Sequence, residues 1–404
     1  MKPMNKRSDI IHDFEATLTL TNIEGEHMST IVEDQVLPKV SDLTPPRRAL
    51  PRRSFLRRLG LGAAALVPGT ALLNATSKAF GAQNGITAGD AAILRFLAAV
   101  EYIETDFWQQ YTELALGNAA YQQALQVLDG DMPTYLNQNT RDEFTHRDFL
   151  NAYLEAHGQQ GVNLEQFRTL PSSQATGSNK TAKRLTSLMN LTVDTSWYVK
   201  YRSTGNPDFG DTFPQIANLV NVPTIPNSDL TPGSDDIQFI ANAAGFHFAA
   251  FEQAGMSVYD SFLPKATSPE VIRILAAIGG SEVMHFQIWH DKAGNAPPVP
   301  GVNEPNTGAR FPQLPVAPMQ QPNGVDPADP IDTNQVMPRP CKFISTNLPL
   351  CSVVRPTSTQ HAGAVTAATA VAGSGLFAGQ SQAFFNLVLS LAQEADAASN
   401  QNGP

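Results

Sequence analysis

The chain has 404 residues, of which 42% are hydrophobic and 16% are charged, so it is long enough to bury a sizeable core and to form two or three domains. Its formal net charge is −10, and the residues after position 82 hold 16 Lys and Arg against 29 Asp and Glu. This acidic body argues against nucleic acid and anionic membrane surfaces as partners.

A basic segment followed by a short apolar run stands near the amino end of the chain. Residues 51–58 read Pro-Arg-Arg-Ser-Phe-Leu-Arg-Arg, and a run rich in Gly and Ala extends from Leu59 to Leu73. This pattern resembles a bacterial twin-arginine export signal, in which the twin-arginine translocase would read Arg52 and Arg53. The apolar run is too short and too weakly hydrophobic to serve as a stable membrane span.

The resemblance to an export signal implies that the mature protein lies outside the bacterial cytoplasm, in the periplasm or the extracellular space. Small residues after the apolar run predict cleavage between residues 80 and 83. We therefore expect residues 1–82 to form an amino-terminal extension plus signal peptide, with Met1 or Met28 as the start.

Four long amphipathic helices are predicted in the acidic body, because apolar residues recur there every three or four positions. Ser, Thr and Pro residues mark the predicted helix starts, and Gly or Pro residues mark the ends. The predicted helices cover residues 83–117, 120–157 with a break near 129–133, 234–262 and 268–294.

The order of these helices predicts an all-α fold, an up-down four-helix bundle at residues 83–294 with one long crossover between its second and third helices. The crossover, residues 158–233, contains one further helical candidate at 180–201. Residues 295–404 form a Pro-rich extension that ends in an amphipathic helix at 380–397. That last helix could dock on the bundle or pair with a second subunit, which leaves a homo-oligomer open.

The two cysteines, Cys341 and Cys351, both lie in the Pro-rich extension. No Cys-x-x-Cys spacing or neighbouring His accompanies them, so they do not fit a zinc site. If the chain leaves the reducing cytoplasm, the pair could form a short loop-closing disulfide.

Two Glu-x-x-His pairs carry the chemistry that the sequence suggests. Residues three apart lie on one face of a helix, so the two members of each pair can address one metal ion together. Each pair follows an earlier helix with a Glu among apolar residues, which is the ligand order of a two-metal carboxylate site in a four-helix bundle. The predicted ligands are Glu101, Glu143, His146, Glu252, Glu282 and His285.

Some ligand choices stay open at the sequence level. Glu104 lies on the same helical face as Glu101 and is the alternative to it, although the spacing of Glu101 to Trp108 mirrors that of Glu252 to Tyr259. Oxygen and nitrogen ligands without thiolate suit iron, manganese or zinc. The remaining histidines in the helices are interpreted as capping or surface residues, namely His157, His247 and His290.

The residues around these ligands resemble the ferritin-like superfamily, and most closely its exported, desiccation-related branch. The stretches that carry the resemblance are Val-Glu101-Tyr-Ile-Glu104, Asp-Glu143-Phe-Thr-His146, Phe-Glu252-Gln-Ala-Gly and Ser-Glu282-Val-Met-His285. The resemblance implies a di-iron or di-manganese centre that reacts with dioxygen or peroxide. The long crossover and the Pro-rich extension depart from cage-forming ferritins, so we do not expect a mineral-storing shell.

Three functional hypotheses follow from this resemblance. The first is an exported di-metal oxidoreductase, ferroxidase-like, that holds two metal ions, with iron preferred and manganese as the alternative, and that protects the envelope under stress. The second is a non-enzymatic stress or structural protein of the envelope on the same scaffold. The third is a relative of the manganese catalases.

Overall fold

The computed structural model describes residues 85–300, 310–314, 337–357 and 363–398, which all belong to one compact unit. The predicted extension and export signal at residues 1–82 lie outside the described residues.

The regular structure of the described residues consists of eight α-helices, two three-residue 3-10 helices (Glu165–Phe167 and Pro207–Phe209) and one small sheet, which confirms the predicted all-α class. Strand β1 (Leu170–Pro171) pairs antiparallel with β2 (Lys183–Arg184) inside the crossover. The helices are α1 (Ala88–Gly117), α2 (Ala119–Leu128), α3 (Met132–Ala156), α4 (Ser196–Arg202), α5 (Asp235–Phe262), α6 (Pro269–Ala293), α7 (Ala364–Gly373) and α8 (Gln382–Ala397).

The four longest helices, α1, α3, α5 and α6, form the bundle. Helix α1 packs along α3, and α5 packs along α6. The second predicted helix is divided at the break near residue 130 into the short α2, which packs on α5, and the long α3. Thr87 caps α1 as predicted, because its hydroxyl accepts a hydrogen bond from the backbone N–H of Asp90 at 3.1 Å. The Asp90 carboxylate accepts in turn from the backbone of Thr267 and Ser268, which joins the start of α1 to the start of α6.

The predicted helix at 180–201 is wrong over most of its length, since only α4 (Ser196–Arg202) forms. Leu185 and Thr186 instead donate their backbone N–H groups to the Asp106 carboxylate on α1, at 3.0 and 2.8 Å. Arg168 pairs with the same buried carboxylate. The Asp106 carboxylate thus satisfies backbone N–H groups that would otherwise bond within a helix. This tertiary contact overrides the helical preference of the local apolar pattern.

The two carboxyl-terminal helices both dock on the bundle. Helix α8 confirms the last predicted helix and packs against α1, whereas α7 lies in an Ala/Gly/Thr-rich stretch and contacts α5 and α8. Exposed ion pairs reinforce this docking, such as Arg95 with Glu394 at 2.8 Å. Between the bundle and α7, the described parts of the Pro-rich extension are almost entirely irregular.

Cys341 and Cys351 face each other across an isolated antiparallel bridge, in which each donates its backbone N–H to the other's carbonyl at 2.9 Å. Their thiols are free in the structure. The disulfide therefore stays a prediction.

Helix α6 is long and apolar enough to cross a membrane by length and composition alone. Its buried residues face the bundle core. The core helix of a soluble protein passes the same test of length and composition, so the test is weak evidence for a membrane span.

Candidate metal centre

The six predicted ligand residues converge in the core of the bundle. Their carboxylate oxygens and imidazole nitrogens form two groups, and within each group the donor atoms lie within 4.8 Å of one another. The first group consists of Glu101, Glu143, His146 and Glu282, and the second of Glu143, Glu252, Glu282 and His285. Each of the four bundle helices supplies at least one of these residues.

Glu143 and Glu282 belong to both groups. Each comes from one of the Glu-x-x-His pairs, on α3 and α6, whereas Glu101 on α1 and Glu252 on α5 belong to one group each. The four carboxylate side chains are fully buried. The arrangement offers two neighbouring cation positions that share two carboxylates, each position completed by one further Glu and one His.

Both histidines turn the Nδ1 atom toward the carboxylates. Nδ1 of His146 lies 3.2 Å from Glu143 and 3.4 Å from Glu282, and Nδ1 of His285 lies 3.0 Å from Glu143 and 3.5 Å from Glu252. The helical spacing of three residues places His146 beside Glu143 on one face of α3, whereas His285 contacts carboxylates of two other helices, α3 and α5. Each imidazole thus has a nitrogen placed to serve as a ligand.

Asp142 holds the other side of one imidazole ring. Its carboxylate, more than half exposed, lies 3.3 Å from Nε2 of His285. A carboxylate at the outer nitrogen fixes the orientation of a metal-binding His and favours the tautomer whose inner nitrogen carries a lone pair. Asp142 and His285 lie on different helices, α3 and α6, so no helical spacing indicates this contact.

Burial dominates the electrostatics of the carboxylates. It raises the pKa of Glu101 to about 8, and it raises the pKa of Glu104 and of Glu252 well above their ordinary values, with neighbouring carboxylates adding to each shift. Without cations, the cluster therefore retains protons that isolated glutamates release.

The pKa values of the two histidines and of Glu143 shift in the directions that ion pairing produces. Burial lowers the pKa of His146 and His285, but the facing carboxylates outweigh it and raise both pKa values. Burial likewise raises the pKa of Glu143, yet its hydrogen bonds with the two histidines leave it below the ordinary value. In the metal-free state, protonated histidines partly neutralise the carboxylates.

The donor set fits a pair of divalent cations. Several buried oxygens have no hydrogen-bond partner among the described residues: Oε2 of Glu101, Oε2 of Glu252 and both oxygens of Glu282. Orphaned buried carboxylate oxygens are costly, and a bound cation would satisfy them. The four ionised carboxylates of the two groups carry four negative charges, which two divalent ions would balance, and oxygen with imidazole ligands suits iron or manganese.

Glu104 lies beside the cluster without joining either group. It is fully buried, and neither of its carboxylate oxygens has a partner among the described residues. The geometry thus places Glu101, the preferred residue of the two, within a group of donors, and Glu104 at its edge. The ligand role of each of these residues stays a prediction.

Asn139 is a residue that the sequence interpretation missed. Its side-chain amide donates to Glu143 at 2.6 Å and to Glu252 at 3.1 Å, and its oxygen accepts from the indole N–H of Trp289 at 2.7 Å. The available signal was its position four residues before Glu143, on the same helical face. Asn139 holds two carboxylates from different helices in place.

Two residues of α5 complete the surroundings of the cluster. The hydroxyl of Tyr259 donates to Oε1 of Glu101. Gly255, one turn before it, lies so close to the cluster that a Cβ there would stand 2.8 Å from Oε2 of Glu282. A side chain at this position would require the Glu282 carboxylate, one of the two shared donors, to shift.

The interpretation of His247 and His290 as surface or capping residues is wrong. Both are buried; His247 contacts the Tyr111 hydroxyl at 2.9 Å, and His290 packs among aromatic rings. Neither belongs to the two donor groups found in the described part of the chain.

A four-helix bundle with carboxylates and Glu-x-x-His pairs from facing helices defines a ferritin-like protein with a candidate two-metal site. The chain belongs to the ferritin-like domain family, because the model of that family matches residues 89–295, about half of the chain. Comparisons with curated proteins and with solved structures gave no match. The family match confirms the ferritin-like part of the resemblance, while export and the desiccation-related branch stay predictions.

Proposed function

We propose that the protein is an exported ferritin-like di-metal carboxylate protein of the desiccation-related branch that carries out iron and oxygen, or peroxide, chemistry in envelope stress protection. The observation that carries this proposal is the sharing of Glu143 and Glu282 between two donor groups. A single structural cation needs one group, whereas two groups with common carboxylates provide for a pair of ions.

The six predicted ligand residues would hold the two ions in the following way. Glu143 and Glu282 would contact both, Glu101 and His146 would complete one position, and Glu252 with His285 the other. Two iron or manganese ions would supply redox chemistry toward dioxygen or peroxide. Asn139 and Asp142 would keep the donor atoms oriented.

The bundle core isolates this cluster from bulk water. The carboxylates are fully buried and His146 is only 9% exposed, so charges inside the core are weakly screened. The carboxylates must therefore be balanced by cations or protons within the cluster. Metal binding would therefore release protons that the metal-free cluster retains.

Export through the twin-arginine translocase is part of the proposal and is supported by the sequence pattern around Arg52 and Arg53. This class of signal serves proteins that are already folded. A cluster closed inside a bundle suits that route, because the metals would be loaded before export.

Metal counting on protein purified after export tests the proposal. We expect two iron or manganese ions per chain and oxidation of added Fe(II) above the background rate. A metal content below one ion per chain, together with no Fe(II) oxidation, would reject it. Rapid oxygen evolution from peroxide would instead identify a catalase-like reaction.

The alternative is a non-enzymatic envelope protein, and the internal pairing of the cluster favours it. His146 and His285 already face carboxylates in the absence of metal, so ion pairs can partly neutralise the core without cations. The double variant Glu101→Ala, His146→Ala separates the two. Unchanged desiccation survival of cells carrying the variant would support the scaffold, and lost survival would support the metal chemistry.

A further inference from the structure

A small cavity lies between the bundle and the carboxyl-terminal helices, directly beside the carboxylate cluster. Its volume is about 50 Å³. Helices α1 and α5 form its floor, and α7 and α8 form its roof, with Ala368, Val371 and Val388 among the roof residues. The roof lies outside residues 89–295, so the ferritin-like domain alone does not enclose the cavity.

The wall of the cavity is almost wholly hydrocarbon. Glu104 is the one charged or polar side chain among the described residues that line it, and both of its oxygens lack partners. A buried water needs two to four polar partners, whereas apolar cavities stay dry and accept small apolar guests. Only the Glu104 carboxylate offers polar partners to a water, so the hydrocarbon part of the lining favours an uncharged apolar molecule.

The cavity and the cluster meet at Gly255 and Glu104, which both line the cavity. A Cβ at Gly255 would stand 2.8 Å from Oε2 of Glu282 and 3.5 Å from Oε1 of Glu104. The lack of a side chain at Gly255 lets the cavity wall approach a shared carboxylate. This is the place where a guest molecule would come closest to the predicted cation positions.

We propose that this cavity is a binding site for a small uncharged apolar molecule, the size of dioxygen, and that the carboxyl-terminal helices form it. The volume of about 50 Å³ leaves room for roughly three to five heavy atoms, because one water-sized probe occupies about 10–15 Å³. The choice of dioxygen as the guest rests on the proposed function, but the existence of the site does not.

Xenon tests the site without metal or turnover. Crystals of the metal-free protein under xenon pressure are expected to show one xenon atom beside Val371 and Val388. Ala368→Leu fills the cavity and should abolish that peak. Ala370→Leu makes the same change at an exposed position of α7 and should retain it. An empty cavity in the wild-type protein under xenon would overturn the proposal.

Oxidation kinetics test the role of the guest. In metal-loaded protein, Ala368→Leu should raise the KM for dioxygen several-fold while leaving the KM for peroxide and the metal content unchanged, and Ala370→Leu should change neither. Equal effects on both oxidants, or no effect on dioxygen, would overturn the role in delivery. If the wild-type protein binds no metal, the proposed function fails, while the xenon result still decides the site.

Discussion

Trp289 donates its indole N–H to the side-chain oxygen of Asn139 at 2.7 Å. The bond aims the Asn139 amide at Glu143 and Glu252, which belong to two different helices. The same indole stacks on Trp108, with ring centroids 5.5 Å apart and planes 20° apart. A stacked aromatic pair thus orients an amide that bridges two predicted metal ligands.

Replacing Asn139 tests this positioning role. Asn139→Leu keeps the branched shape of the side chain, at a larger volume, but removes both donated hydrogen bonds, so we expect metal affinity to fall about 10–100-fold, as for other outer partners of metal ligands. Calorimetric titration with Mn(II) measures it. Asn137→Leu, the same change at a partly exposed position two residues away, is the control. Equal affinity in both variants would show that Asn139 only packs.

Metal stoichiometry distinguishes the shared carboxylates from the others. Glu143→Gln removes a donor common to both groups, and we expect it to lose both ions, whereas Glu252→Gln should retain one. Gln keeps the side-chain volume, which limits any effect on folding. Elemental analysis of purified variants gives the counts, with the exposed Glu155→Gln as the control. Retention of two ions by Glu143→Gln would contradict the shared arrangement.

The metal-free protein should lose stability as pH rises from about 5 to about 8. Burial raises the pKa of Glu101 from an ordinary 4.5 to about 8, and Glu104 and Glu252 shift the same way. Over this window the folded state holds protons that the unfolded chain has released, so the free energy of unfolding falls. The histidines add to this, because a raised histidine pKa contributes stability that is lost as pH rises.

The lowered pKa of Glu143 has the opposite effect on the pH dependence of stability. The stability that it contributes is lost only as pH falls below about 4.5, which lies outside the window from about 5 to about 8. Added Mn(II) should restore the stability lost at high pH, because cations replace the protons. At one hundred times the dissociation constant the gain is about 2.7 kcal/mol. Thermal melts with and without metal measure this, and a metal-induced gain that is larger at about pH 5 than at about pH 8 would contradict it.

Cys341 and Cys351 should form a disulfide in oxidising solution. Residues directly opposite in a hydrogen-bonded antiparallel pair have Cα atoms about 5.5 Å apart, within the range that a disulfide spans. Closing this short loop should raise the free energy of unfolding by about 2–3 kcal/mol. Thiol counting before and after oxidation, with Cys351→Ser as the control, checks the bond. Two thiols that persist under oxidant would contradict it.

The amphipathic period alone predicted the four bundle helices, because a helix that buries one face needs apolar residues every three or four positions. Helix α5 begins after Ser234 and α6 after Ser268, at the predicted starts of these two helices, although neither serine side chain makes a capping hydrogen bond. The apolar period gave a wrong prediction at 180–201. There the Asp106 carboxylate accepts a hydrogen bond from the backbone N–H of Leu185, which lies 79 residues away along the chain. No local pattern carries that information.

The sequence by itself determined the order of the helices and the residue types on their buried faces, because helical spacing is a local property. The tertiary structure alone decided which carboxylates belong to two donor groups, that Glu104 lies at the edge of the cluster, and that Asn139 bridges α3 and α5. It also decided that the carboxyl-terminal helices roof an apolar cavity beside Gly255. These relations join residues more than a hundred positions apart, so they depend on how the helices pack rather than on the pattern within any one of them.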